Sequence, residues 1–479
     1  MNRRGIHGIG LVPPVMMGGN FDEAYLLRDD FTDTLAAGSV NGTLAVPGPG
    51  TRTVVDTGFN VSTLLGRIKC VAYVQNGNPF LTYTPTITRA AGRLAVFSAF
   101  DEWGAGRFSA GFWDLANPLV PTNALGAWVD FAGLIGCASN GANDFSGNLV
   151  SIIGSADTPL AVGLRASGAH YLHKTGGNWH LDFISSVGST ATLYVGWGMR
   201  LSSLASLNYI RVPVTLWLPA PLASDGMSSA TLTDGLGHAE GVTGGIGAGG
   251  ANVPWATAAT WAVAGGVATN TPVLGAEQNS GALVIGTWYS ITATQVNYFY
   301  VGCAIGDSFR ATATTALDVN NKVKAFATAE LFRPLTTSMT ADVVAHTKAV
   351  AMTARTHSGL AIRLNDPTTP TSGILAFFDK GSVTVVEFNG AIYTQLFTAV
   401  KAWAASDSLQ LIANGVNVRL FHLTSAGVAT LIGSTAVATI TTGGYHGLFS
   451  TDSGNQLDNF ILYPRGTSGE FNILNRWST

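Results

Sequence analysis

Charge is what this chain has least of. Asp, Glu, Lys and Arg make up 11% of its 479 residues, less than half of the roughly 25% usual for soluble proteins. With apolar residues at 47%, the shortage excludes a charge-rich disordered polymer. A basic excess is missing too: the formal net charge is −3, so no positive field attracts nucleic acid or anionic lipid. Long apolar runs are absent although mean hydropathy is +0.28. Every apolar segment is cut by Gly, Thr, Ser or Asn before the roughly 18–20 residues that cross a bilayer, and no membrane insertion is expected. The three cysteines, Cys70, Cys137 and Cys303, are odd in number and far apart, which fits neither a disulfide framework nor a metal-ligand spacing. They are expected to be small buried hydrophobes. The opening MNRRGIHGIGLVPPVMMGG carries two arginines, but His7, Pro13 and Pro14 interrupt its apolar part, so no secretory signal is expected.

Helical periodicity is almost absent, AVKAWAAS (399–406) being the best candidate. In its place stand short runs rich in Val, Ile, Thr and aromatics, bounded by Gly, Asn and Pro: TRTVVDT (51–57), IKCVAYV (68–74), WHLDFI (179–184), GILAFFD (373–379) and SVTVVEF (382–388) among them. This punctuation predicts an all-β protein built as an antiparallel sandwich. VNVRLFHL alternates, with Val416, Val418, Leu420 and His422 on one face and Asn417, Arg419, Phe421 and Leu423 on the other. The expected order is an N-terminal arm (1–27), a first sandwich (28–218), a linker (219–230), a second sandwich (231–466) with a small β module inserted at about 281–326, and a C-terminal tail (467–479). A faint repeat supports duplication: LLRDDFTDT (26–34) against TLTDG (231–235) at the openings, SLNYIRV (206–212) against QLDNFIL (456–462) at the closings. Such an apolar excess must be buried by strands covered on both faces or between subunits.

The search for chemistry yields little. Gly245, Gly247 and Gly250 have the GxGxxG spacing, but no helix pattern follows them, so a loop is the better reading. His170, His173 and His180 lie close together, yet His170 and His173 point to opposite faces of a strand, which argues against a metal site. Asp101 and Glu102 beside Trp103 are the only candidates for a glycosidase pair, and adjacent strand residues face apart. No enzyme is expected. Binding has more support, because tryptophan faces can stack on sugar rings. Trp103 and Trp113, flanked by glycines and polar residues, are the candidate ligand contacts. No cofactor is required; Ca²⁺ is the one ion considered, with Asp30, Asp234 and Asp458 as its ligands.

DGLGHAEG (234–241) with ATWAVAGGVATNTP (259–272), GLAIRLND (359–366) and HGLFSTDSGNQLDNFILYPRG (446–466) resemble the laminin-G-like or concanavalin A-like jelly-roll modules of bacteriophage structural proteins. RDDFTDT, GTRTVVDT and LNYIRV in the first half resemble them as well, and residues 283–312 are similar to a short β module of phage tail and fibre proteins. The resemblance implies two tandem antiparallel jelly-roll sandwiches with an inserted β module. It also implies a virion protein made in the host cytoplasm, of tail or fibre type, anchored by its arm to other virion proteins. Self-association, as in a trimer, and binding of a host-surface glycan are expected with it. The rival expectations are a capsid decoration protein and a polysaccharide-degrading enzyme.

Overall fold

The computed structural model describes residues 24–479 except 37, 55–59, 65, 73–79, 100–106, 114–123, 131–133, 139–147, 152–157, 167, 186–191, 201–205, 228–231, 234–238, 241–252, 257–258, 380, 438, 467–470, 477 and 479. For Ala124–Asp130, Leu134–Ala138 and Asn148–Ser151 it describes the backbone alone.

Strand pairing among the described residues is antiparallel throughout and builds two tandem jelly-roll sandwiches. In the first, one sheet runs Asn178–Ser185, Gly168–Thr175, Thr158–Arg165, Leu94–Ala99, Ser206–Pro213, Ile68–Ala72, Asn60–Thr63. Its partner is built around Arg107–Trp113 and Thr192–Arg200. In the second, an inner sheet runs Trp261–Ala264, Val267–Asn270, Gln456–Pro464, Val343–Ala351, Asp407–Asn414, Asn417–Leu423, Ala429–Ala436. The outer sheet runs Phe332–Pro334, Tyr445–Ser450, Ser358–Leu364, Ser372–Asp379, Ser382–Asn389, Ile392–Val400. Between Val267–Asn270 and Phe332–Pro334 the chain leaves to form a four-stranded module, Leu274–Gln278, Trp288–Ala293, Ser308–Arg310 and Lys322–Phe326. The inserted module thus begins at Leu274, earlier than the glycines at 281 and 286 indicate.

Three expected boundaries change. Ala223–Asp225, inside the expected linker, is a strand paired with Phe460–Leu462. The last strand of the expected arm starts at Tyr25, because Leu27 is buried beside Val212 in the first core. The expected tail forms a 3-10 helix, Phe471–Arg476, whose Phe471 and Leu474 are buried in the same core. Residues 399–406 are not helical: Ile392–Val400 is strand and the chain then loops, since the alternation of that segment pairs it with Ser382–Asn389 along its whole length.

Two-sided burial explains the composition. On the inner sheet Val343, Ala345, Leu409, Leu411, Val418 and Leu420 face the second core, while Val344, Ile412, Phe421, Leu423, Ile461 and Tyr463 face the first sandwich. Adjacent residues are therefore both buried, as the alternation of VNVRLFHL allows. The first sandwich presents its edge strand Asn178–Ser185 and the neighbouring Gly168–Thr175: Phe183 packs on Phe421, and His170 meets Tyr463 edge-on. Polar groups there are paired. Gln410 donates to Ile184 O and accepts from Ile184 N–H, both at 3.0 Å. Arg465 donates to Asp182 at 2.9 Å, and Asp182 also holds His173. Gly466 lies against that edge with φ +130°; a Cβ there would meet Trp179 O at 2.0 Å, so only glycine lets the two backbones approach.

The two sandwiches share one feature at their openings, in a register different from the one expected. Asp29 pairs with Ile210 and Asp225 with Phe460, and Ile210 and Phe460 hold the same place in the two closing strands. Each aspartate accepts the N–H two residues on, Phe31 or Met227, and both of those residues have positive φ, 48° and 51°. ASDGM (223–227), not TLTDG, is the counterpart of RDDF.

Candidate functional site

The outward face of the outer sheet carries the inserted module. Along Ser372–Asp379, Ile374, Ala376 and Phe378 point into the second core, which leaves Leu375, Phe377 and Asp379 on the other face. Trp288, Phe326, Phe332, Leu375, Phe377, Phe388 and Phe449 seal most of that contact. At one side it opens into a cavity of about 320 Å³. Trp288, Phe299, Tyr300, Phe309, Phe377 and Tyr393 line it, with Ser308, His357, Asp379, Thr384, Gln395 and Arg310 as polar groups. A second cavity of about 410 Å³, lined by Met352, Arg355, Phe378 and Trp403, shares Asp379 as a wall.

Hydrogen bonds fix the floor. His357 Nδ1 and Ser308 Oγ lie 2.8 Å apart, and Ser308 Oγ lies 2.8 Å from Thr451 Oγ1. His357 Nε2 stands 3.5 Å from Asp379 Oδ2. Ser, His and Asp in sequence suggest a nucleophile relay, but three features oppose it. Ser308 is buried, Thr451 competes for its hydroxyl, and the imidazole–carboxylate contact is too long for the hydrogen bond that orients a base. Arg310 staples the module down, donating to the carbonyls of Gly286 (2.8 Å), Gly390 and Ile392. Arg355 pairs with the buried Asp307, which also accepts from Tyr300. Burial raises the phenols of Tyr300 and Tyr393 above the usual tyrosine range, and the charge of Asp379 adds to both. Among the described residues lining the two cavities Asp379 is the one carboxylate. Glycoside hydrolysis ordinarily uses a pair.

Of the residues singled out in the sequence, none of the described ones lines either cavity. Trp103, Asp234, Asp101, Glu102 and the glycines at 245–250 are outside the described residues. Trp113 is fully buried on Arg107–Trp113, its backbone paired with Ala124 and Tyr194, and a ring with no exposed face cannot stack on a sugar. Asp30 is paired with Arg28 and Arg211, and Asp458 with Lys348 at 3.6 Å on the other sandwich. The two are not brought together, and among the described residues no cluster of three or more His, Cys, Asp or Glu could hold a metal. His173 and His180 stack 5.3 Å apart and His170 meets Tyr463 edge-on, so all three stand at the contact between the sandwiches. Cys303 is buried. Asp379 and His357 escaped sequence reasoning because nothing local marks them; the terminal Asp of GILAFFD falling on the same face as Phe377 is the one signal.

No family model and no curated protein matches the chain. Solved structures that do match include lectin II from Ulex europaeus (12% identity, 40% of this chain and 99% of that one, TM-score 0.28). A carbohydrate-binding module, CBM66 from Bacillus subtilis, matches with 12% identity, 28% of this chain, 80% of that one and a TM-score of 0.23. A beta-1,3-glucanase from Mycobacterium marinum matches with 12% identity, 40% and 99% coverage and a TM-score of 0.26. Likenesses of this size say nothing of ligand or activity.

Proposed function

We propose that the chain is a non-enzymatic glycan-binding structural protein, and that the cavity under the inserted module holds the sugar. The observation that carries this reading is the cavity's lining. Partly exposed Tyr300, Phe309 and Tyr393 offer apolar faces to a pyranose, and Thr384, Gln395 and Asp379 offer partners for its hydroxyls. Titration calorimetry against host-surface oligosaccharides tests it. Tyr393→Ala is expected to weaken binding about tenfold, ~1.4 kcal/mol; unchanged affinity would remove the sugar from this cavity. Polysaccharide cleavage by the intact protein, lost in Asp101→Asn or Glu102→Gln, would replace the binding reading with the enzymatic one.

The setting we propose is a phage particle, in a tail, fibre or decoration position, with the chain self-associated. Its support is the sequence resemblance together with the surface of the inserted module, where Val284, Val296, Val301, Ile305 and Val319 are exposed, Val296 at 87% and Val301 at 89%. Apolar side chains gathered on one small module mark a contact surface. Light scattering is expected to give a multiple of the 49.7 kDa chain mass, and Val296→Asp with Val301→Asp should return it to the monomer. A monomeric parent protein would sink the self-association.

A further inference from the structure

Among the described residues the one ionic contact of Asp379 is the His357 ring. Its Oδ1 is buried and accepts no hydrogen bond, and Oδ2 has only the His357 ring at 3.5 Å, beyond ordinary hydrogen-bond length. The described cations lining the two cavities are committed elsewhere: Arg310 to three backbone carbonyls, Arg355 to Asp307. A carboxylate partly removed from water without a counter-charge is unfavourable, and a ligand that brings the counter-charge relieves it. Aromatic walls favour the same sign, because the faces of Trp288 and Tyr300 attract cations through their ring quadrupoles, while the Tyr393 ring already carries Arg310 at 5.0 Å. A cavity of about 320 Å³ is also at the small end of ligand pockets, about right for one ring with its substituents.

We infer that the cavity selects a protonated amino sugar, a hexosamine with a free ammonium group as in de-N-acetylated amino-sugar polymers, whose ammonium sits on Asp379 between the aromatic faces. This rests on the glycan-binding reading and adds the charge of the ligand to it. An acidic glycan would meet like charge at Asp379, and a neutral one would leave that carboxylate as it is.

The test is calorimetry on the full chain with three probes: a glucosamine oligomer, the matching N-acetylglucosamine oligomer, and choline. The expected result is at least about tenfold tighter binding of the free-amine oligomer, the scale of a charge-assisted hydrogen bond, with little binding of choline. This comparison needs no variant. Asp379→Asn, checked for an unchanged circular dichroism spectrum, should bring the two oligomers to equal affinity. Equal affinity in the parent protein would overturn the inference and leave the glycan reading standing. Choline bound as tightly as the amine oligomer would overturn it in favour of a bare ammonium site, and no binding by any probe would overturn both readings.

Discussion

Asp29→Ala is expected to destabilise the protein by about 3–5 kcal/mol, the cost of breaking a buried ion pair by removing one partner. Asp29 and Arg52 are both fully buried, and two hydrogen bonds of 2.6 Å join them in a fork. Tyr83 Oη donates to the same carboxylate at 2.9 Å, and the N–H groups of Phe31 and Val46 do so at 3.2 and 3.3 Å. Burial by itself lowers the Arg52 pKa, but the hydrogen bonds and charges of Asp29 and Asp33 outweigh it and hold the guanidinium above its ordinary value. Without Asp29 that cation keeps only the partly exposed Asp33 and loses its counter-charge in the core. The duplicate in the second sandwich provides a control. Asp225 accepts from Trp255 Nε1 at 2.9 Å and Met227 N at 2.8 Å, and losing these hydrogen bonds in Asp225→Ala should cost at least about 1–3 kcal/mol. Urea denaturation followed by tryptophan fluorescence measures both; a loss below about 1 kcal/mol for Asp29→Ala would deny the pair its structural role.

Acidification should undo the contact between the sandwiches before carboxylates begin to protonate. Burial, with the charges of Arg465 and His173, pushes the His180 pKa down to about 4. Burial with Arg165 and Lys348 pushes His346 to about 3, and burial with Arg165 holds His170 well below its usual range. In the second sandwich burial lowers His446 to about 4. An unfolded imidazole titrates near 6.5, about pH 6–7. Below that value the unfolded chain binds protons that the folded one refuses, so stability is complete above about pH 6.5 and falls as pH drops toward 4. Each such histidine contributes up to ~1.4 kcal/mol per pH unit, and the three with values of 3 to 4 together up to ~4 kcal/mol per unit. Asp182 stays ionised through this window, because His173 and Arg465 lower its pKa against the effect of burial. Melting temperatures at pH 7.5, 6 and 5 are expected to fall steeply, with small-angle scattering showing expansion at the lowest. A melting temperature constant across that range would mean that these imidazoles are hydrated in the native protein.

Alternation and turn residues made the β class, the two sandwiches and the inserted module legible, because they are local properties of a pleated chain. The pairing of adjacent apolar residues in Val343–Val344 and Phe460–Ile461 with two different cores was not, since a buried strand and a half-buried one differ only in what lies across from them. The best helical candidate, 399–406, is not helical for the same reason: the cross-strand partner of Ala399 is Val383, sixteen residues back, and tertiary pairing outweighs local propensity. Trp113 looked available because glycine and serine surround it, yet small neighbours are what let a large ring be covered. The candidate site is assembled from Trp288, His357, Asp379 and Tyr393, which no short motif contains; only the fold makes them neighbours.

The strand Ser206–Pro213 receives Tyr25–Asp29 as a neighbour and, through Tyr209 Oη, a hydrogen bond to Ser478 O at 3.2 Å. Both ends of the described chain are thus moored to one strand. Residues 223–466 leave that mooring and come back to it as a closed excursion, with the inner and outer sheets standing between the first sandwich and the cavity. At about 10 Å per sheet layer, the cavity sits roughly 20 Å beyond the face where the sandwiches meet. The face that carries the cavity is therefore held apart from the strand to which both described ends are moored.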